Sequence, residues 1–246
     1  MAADVADPLK ARYQAVCDRI TAACRRAGRA VEDVRLVAVT KGVPADVVRA
    51  AAALGMHRFG ESYIQEWRAK RAHLMDLADV EWHFIGRIQR NKAAASADFA
   101  LVHSVADERI AAVLDREGRR RAATALTDEH GGRCAAPVRV LVQLNLAGEA
   151  SKEGVPPAAL PSLLAALRRL AWVRVEGLMT IPPPQLPEKV RPVFAALREL
   201  RDRQEAATEL RELSMGMSTD FEVAIEEGAT LVRIGTAIFG PRKEAA

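Results

Sequence analysis

Lys41 closes the stretch "VRLVAVTKG", Val34 to Gly42, where a mostly apolar run ends on an ammonium group. Seven of the 36 basic residues are lysines and the other 29 are arginines, so a lysine here is not drawn from a common pool. Burial disfavours the charged form of a lysine and leaves a neutral amine, the nucleophile that condenses with an aldehyde to give a Schiff base. The plain alternative is a lysine emerging from a core at a strand end, solvated or paired with a carboxylate. A second set of chemistry-bearing residues lies near the C-terminus. "LSMGMSTDF" supplies Ser214, Met215, Gly216 and Ser218, and "RIGTAIFG" supplies Arg233, Gly235 and Thr236. Free N–H groups at a helix start attract an anion, glycine lets the backbone approach it, and a hydroxyl adds a donor. Such turns also serve as ordinary helix caps, and Thr219 with Glu222 has capping-box spacing.

These residues need a scaffold, and the rest of the chain describes one. Short apolar runs at 34–39, 57–60, 82–86, 100–105, 138–145, 173–180, 212–215 and 230–235 read as strands. Helical patterns fall at roughly 45–54, 61–77, 88–96, 107–122, 157–170, 188–208 and 218–227, after an N-terminal helix at about 5–27 that stops at Gly28. A helix after nearly every strand argues for a parallel sheet, because parallel neighbours need a crossover connection. Strands apolar on both faces fit that sheet. An open doubly wound sheet and a closed eight-stranded barrel both remain, and the strand count favours the barrel. The length of 246 residues matches the ~250 typical of a single α/β barrel.

Composition excludes several other classes. Half of the residues are hydrophobic, ample for a core, and a net charge of +4 is modest for this length. Clusters such as "REGRRR" (Arg116–Arg121) read as a solvated helix face, and no nucleic-acid partner is expected. Cys17, Cys24 and Cys134 form neither a disulfide framework nor a zinc-ligand spacing, which points to a reducing compartment. The N-terminus lacks a signal-peptide pattern and no apolar run is long enough to span a bilayer, so a cytoplasmic protein without membrane association is expected.

In a (β/α)8 barrel the functional groups sit at the carboxyl ends of the strands, and the loops after strands seven and eight commonly bind phosphate. That rule gathers Lys41, Glu61, Ser62, His83, Asn145, Met179, Thr180, Ser214, Arg233, Gly235 and Thr236 at one rim. A Schiff-base lysine and a phosphate cradle on the same rim suit a phosphorylated aldehyde held by both ends, and pyridoxal 5′-phosphate (PLP) is the cofactor that fits.

The motifs "AVTKGVP", "FGESYIQE", "WHFIGRIQRNK", "VHSV", "VQLNLAGEASKEG", "GLMTIPP" and "LSMGMSTDFEVAIEEGATLVRIGTAIFGPR" resemble, in order from about residue 34 to 242, the pyridoxal phosphate homeostasis proteins. The resemblance implies an α/β fold over residues 1–246. That fold is a single (β/α)8 TIM barrel with an extra N-terminal helix, like the N-terminal domain of alanine racemase, that is, PLP fold type III without the C-terminal β-domain. It implies PLP bound to Lys41 as a Schiff base, the phosphate held by Ser214, Gly235 and Thr236, and Arg233 facing the pyridine nitrogen. His83 and Met215 would line the pocket. Where the family usually has Gly-Glu-Asn, this chain has Gly60-Glu61-Ser62, so Ser62 replaces a longer side chain that both donates and accepts. The family commonly has Ser at the position of Thr40, and often Thr at that of Gly42.

The resemblance also bears on activity. An arginine at the ring nitrogen weakens the ring as an electron sink, where many PLP enzymes place a carboxylate. The β-domain that completes a racemase pocket is absent from the pattern. The expectation is a PLP carrier in vitamin B6 and amino-acid homeostasis, not an enzyme, with PLP-dependent apoenzymes as its implied recipients and a monomeric state. A fold-type III amino-acid racemase is the alternative. Lys152 is a second candidate lysine, and His57 and His103 read as core-edge histidines.

Overall fold

The computed structural model describes residues 2–124, 136–148, 153–204 and 208–241. Eight parallel strands close on themselves in chain order: β1 (Arg35–Val39), β2 (Arg58–Glu61), β3 (Glu81–Phe84), β4 (Leu101–Val105), β5 (Val138–Leu144), β6 (Val173–Thr180), β7 (Glu212–Ser214) and β8 (Leu231–Ile234). Of the two architectures open to the sequence, the chain adopts the closed barrel. The closing pair sets Arg35, Leu36, Val37 and Ala38 beside Leu231, Val232, Arg233 and Ile234.

Helix α1 (Ala2–Arg26) precedes the barrel, and α2 (Ala45–Ala53), α3 (Ile64–His73), α4 (Ala93–Ser96), α5 (Glu108–Thr124), α6 (Leu160–Leu167), α7 (Pro187–Asp202) and α8 (Phe221–Glu226) follow successive strands. The short α9 (Thr236–Phe239) follows β8. Several helices differ from the sequence expectation: α4 is confined to 93–96 of the expected 88–96, α6 to 160–167 of 157–170, and α7 ends at 202 rather than 208. α1 begins at Ala2 and runs through Pro8. α3 starts three residues later than the expected 61, because Tyr63 is extended at φ −128° and ψ 122°. α8 starts at Phe221, because the Asp220 carboxylate takes the Met217 N–H at 2.6 Å. The Thr219–Glu222 capping box therefore does not form, and Glu222 pairs with Arg19 at 2.7 Å.

Alternation along the strands sorts side chains between two layers. Val37, Leu101, Leu141, Met179 and Leu231 form a cluster of their own in the barrel interior. Ala38, Phe59, Phe84, Val102, Val140, Leu213 and Val232 instead join the larger core shared with the helices. α1 contributes Leu9, Val16, Ile20, Ala23 and Cys24, a helical-period stripe that packs against this outer core. Charged pairs fill the amino-terminal end of the strands: Arg35 with Glu212, Arg58 with Glu81 at 2.8 Å, and Arg139 with Glu176 at 2.8 Å.

One charged cluster lies within the layer between sheet and helices. Lys70 of α3 is 6% exposed, and its ammonium donates to Glu61 Oε1 at 2.5 Å, Glu66 Oε1 at 2.7 Å and the Thr40 carbonyl at 2.5 Å. Thr40 Oγ1 adds a bond to Glu61 Oε1 at 2.6 Å, while Glu61 Oε2 has no partner. Burial pushes the Glu61 carboxyl above its ordinary range, and the bonds from Lys70 and Thr40 oppose that shift.

Removing one member of a buried pair leaves an uncompensated charge, at a cost of about 3–5 kcal/mol. Lys70→Met should therefore lower unfolding stability by about that amount in urea titrations. Lys70→Met combined with Glu61→Gln should recover most of the loss. A Lys70→Met midpoint equal to that of the wild type would show that the ammonium does not compensate Glu61.

Candidate functional site at the carboxyl ends of β1 and β8

Beyond β1 the chain turns at once. The Val43 N–H bonds back to the Thr40 carbonyl at 2.8 Å, and Gly42 has φ +75°. The Lys70 cluster grips this turn on both sides of Lys41. Lys70 holds the Thr40 carbonyl, and Glu66 Oε1 accepts the Gly42 N–H at 2.6 Å. Lys41 itself is half-buried, its ammonium 5.4 Å from the centre of the Tyr63 ring, and among the described residues it has no ion-pair partner. The reading of Lys41 as one half of a carboxylate pair therefore gains no support.

Across the closing pair, β8 delivers the second half of the site. Gly235 lies so close to β1 that a Cβ there would sit 3.2 Å from the Val39 carbonyl oxygen. The N–H groups of Gly235 and Ala237 both donate to Ser218 Oγ at 3.3 Å. A hydroxyl and two backbone donors thus converge where α9 begins. Ser218 reaches them from the loop after β7, which turns at Gly216 with φ +92°. A side chain there would be strained by that φ and would meet Ala224 Cβ at 2.6 Å.

A cavity of about 430 Å³ joins the two halves. Lys41, Gly42, Gly235 and Thr236 line it, together with Val39, Arg12 and apolar residues of α1, α2 and α9. Its size falls within the ~300–1,000 Å³ usual for small-molecule sites. Arg12 is fixed at its edge by a 2.7 Å bond to the Ile238 carbonyl.

The remaining expected residues sort into three places. Arg233 is 4% exposed in the barrel interior and donates to Ser214 Oγ at 2.6 Å and the Thr180 carbonyl at 3.0 Å. Burial lowers its pKa to about 10, partly opposed by Asp220, so it stays charged at neutral pH. Ser214 and His83 are interior residues as well. His83 bonds to His103, which bonds to Ser214. Ser214 lies on the inner face of β7 with its hydroxyl engaged by Arg233 and His103. Ser218, four residues on, is the serine whose hydroxyl meets the turn before α9.

Met215 and Ser62 lie apart from the Lys41 cavity. Strand alternation turns the Met215 side chain into the helix-facing core, one residue after inward-facing Ser214. Ser62 borders a separate cavity of about 20 Å³ beside Arg87 and Lys92, with its backbone against Gly86. Lys152 falls outside the described residues. Among the described residues no group of three metal-ligating side chains forms, and no helix is long and apolar enough to cross a membrane.

Sequence reasoning passed over Lys70, Glu66 and His103 as site residues. Glu66 and Lys70 carry a visible i,i+4 spacing in "QEWRAK", but nothing local says that the pair reaches back to the turn around Lys41. His103 is fully buried, whereas His57, read in the same way, is exposed.

Residues 16–243 match the family model for the N-terminal domain of alanine racemase. The pyridoxal phosphate homeostasis protein of Aquifex aeolicus is 44% identical over 236 residues, covering 94% of this chain and 97% of that protein. The structure of PipY from Synechococcus elongatus PCC7942, solved with PLP bound, superposes with a TM-score of 0.75 at 35% identity. It covers 92% of this chain and 100% of that one. Alanine racemase of Corynebacterium glutamicum, at 18% identity and a TM-score of 0.60, shares the fold over 93% of this chain and 61% of its own. The chain belongs to the pyridoxal phosphate homeostasis proteins, within the family of the alanine racemase N-terminal domain.

Proposed function

We propose that the protein binds PLP with Lys41 at one end and the Gly235–Thr236 turn at the other, and that it serves the supply of this cofactor within the cell. The observation that carries this reading is the shared cavity: the amine and the anion-binding turn line one space of about 430 Å³. The donor set fits the group. Among the described residues the Lys41 amine has no ion-pair partner, which suits a carbonyl carbon, and the Gly235–Thr236 turn suits a phosphate that would take over from Ser218 Oγ as acceptor of the Gly235 and Ala237 N–H groups. The relatives add support, since PipY is described with PLP bound and the Aquifex aeolicus protein is named for PLP homeostasis.

Bound PLP supplies an electron-withdrawing ring, whose strength depends on the group at its nitrogen. By the resemblance to the family Arg233 is the cation for that nitrogen, and it lies in the barrel interior rather than among the residues that line the Lys41 cavity. Ser214 and the Thr180 carbonyl hold its guanidinium, which donates hydrogen bonds and accepts none. Such a group leaves the ring nitrogen unprotonated and the electron sink weak. Storage and transfer follow from this better than carbanion chemistry, and PLP-dependent apoenzymes are the natural recipients. Glu66 and Lys70 hold the backbone on both sides of Lys41, so the turn that carries its side chain is already fixed.

Titrating PLP into the protein should give a yellow complex, and Lys41→Ala should abolish the colour. Ser218→Ala removes one hydrogen bond to a charged group, about 1.5–3 kcal/mol, and should weaken binding roughly 10- to 100-fold. Colour retained in Lys41→Ala would move the linkage to another lysine. A panel of L- and D-amino acids given to the PLP-loaded protein should show no sustained racemisation in a coupled assay. Steady turnover of any of them would replace the carrier reading with the racemase one.

A further inference from the structure

Five side chains follow one another across the barrel interior. Arg233 Nη1 donates to Ser214 Oγ at 2.6 Å, and Ser214 Oγ lies 2.8 Å from His103 Nδ1. His103 Nε2 lies 2.9 Å from His83 Nδ1, and His83 Nε2 faces Glu81 Oε2 at 3.9 Å. Arg233, Ser214, His103 and His83 are each at most 4% exposed, so their polar atoms depend on one another.

The chemistry of the first member dictates the direction of the rest. A guanidinium carries donors and no acceptor, so Ser214 must accept from Arg233. The single hydroxyl proton of Ser214 then goes to His103 Nδ1. A neutral imidazole that accepts at Nδ1 carries its proton at Nε2. His103 therefore donates from Nε2 to His83 Nδ1, which leaves the His83 proton on Nε2, aimed at the Glu81 carboxylate. The reverse polarity would leave the Ser214 proton without an acceptor and set a ring lone pair against a carboxylate. Burial holds both imidazoles below their ordinary range and hence neutral. Glu81 is held down at about 2, chiefly by His83 and then by Arg58, and so stays ionised.

We propose that Arg233 fixes both His103 and His83 as Nε2–H tautomers, and that these two histidines are positioning residues that hold the guanidinium in place for the ring nitrogen of a bound pyridine. The positioning role rests on the PLP reading given above; the tautomers do not.

Nitrogen-15 NMR of histidine-labelled, ligand-free protein at neutral pH reads the chain directly. Both rings should show a neutral imidazole protonated at Nε2. An Nδ1–H or doubly protonated ring at either position would overturn the chain. PLP titrations of the wild type, His103→Leu and His103→Gln then read the positioning role. Leucine can neither accept nor donate, whereas the glutamine amide can do both. His103→Leu should bind PLP about tenfold more weakly, with its absorption band displaced, and His103→Gln should restore both properties. Equal affinity and an equal spectrum in His103→Leu would overturn the positioning role. A wild type that takes up no PLP would remove the PLP reading and the positioning role together, while the NMR result would still decide the chain. Should His103→Leu fail to fold, Ser214→Ala cuts the same chain and is read by the same two measurements.

Discussion

Closure of the sheet through the pairing of β1 with β8 is the constraint on which the site depends. Lys41 follows the first strand and Gly235 the last, so only a closed sheet makes them neighbours. The pairing of Ala38 with Ile234 carries both chains to the same rim, and the absence of a Cβ at Gly235 lets the β8 end sit against Val39. The cavity spans this seam, with α1, α2 and α9 forming its flank. An open sheet built from the same strands would place Lys41 and the Gly235–Thr236 turn at opposite edges.

Closure also creates two environments for charge, and the chain uses them differently. On the helix-facing side, Lys70, Glu61, Glu66 and Thr40 form a compact ionic cluster whose outer bonds reach the backbone on both sides of Lys41. Buried ion pairs are weak evidence for stability, because desolvation offsets their attraction. Here the geometry gives the pair another role, since its bonds fix the turn around Lys41. Inside the barrel the buried guanidinium of Arg233 meets a line of neutral groups that ends at Glu81 near the amino-terminal end of the strands. The first arrangement fixes the backbone around Lys41 and the second holds the Arg233 guanidinium.

Much of this was legible in the sequence, for identifiable reasons. All eight strands and the βα alternation followed from short apolar runs, and the rule that strand ends carry function selected Lys41, Gly235 and Thr236 directly. The sequence is ambiguous where two nearby residues of the same type compete. Ser214 and Ser218 are four residues apart, and the structure sets the first on the inner face bonded to Arg233 and the second against the turn before α9. Met215 fell to the other face by a single step of strand alternation. Lys70 was invisible for a different reason, because a four-carbon stem on a helix reaches a turn thirty positions earlier in sequence. His103 looked like packing because burial alone does not reveal what a histidine bonds to.

The proposed function depends on one linkage: the amine of Lys41 joined to a coenzyme whose phosphate rests on the turn after β8. Borohydride reduction of the PLP-loaded protein followed by peptide mapping tests that linkage most directly. A single phosphopyridoxyl group on the peptide that carries Lys41 is the predicted result. A label on any other lysine, Lys152 included, or on none, would contradict it.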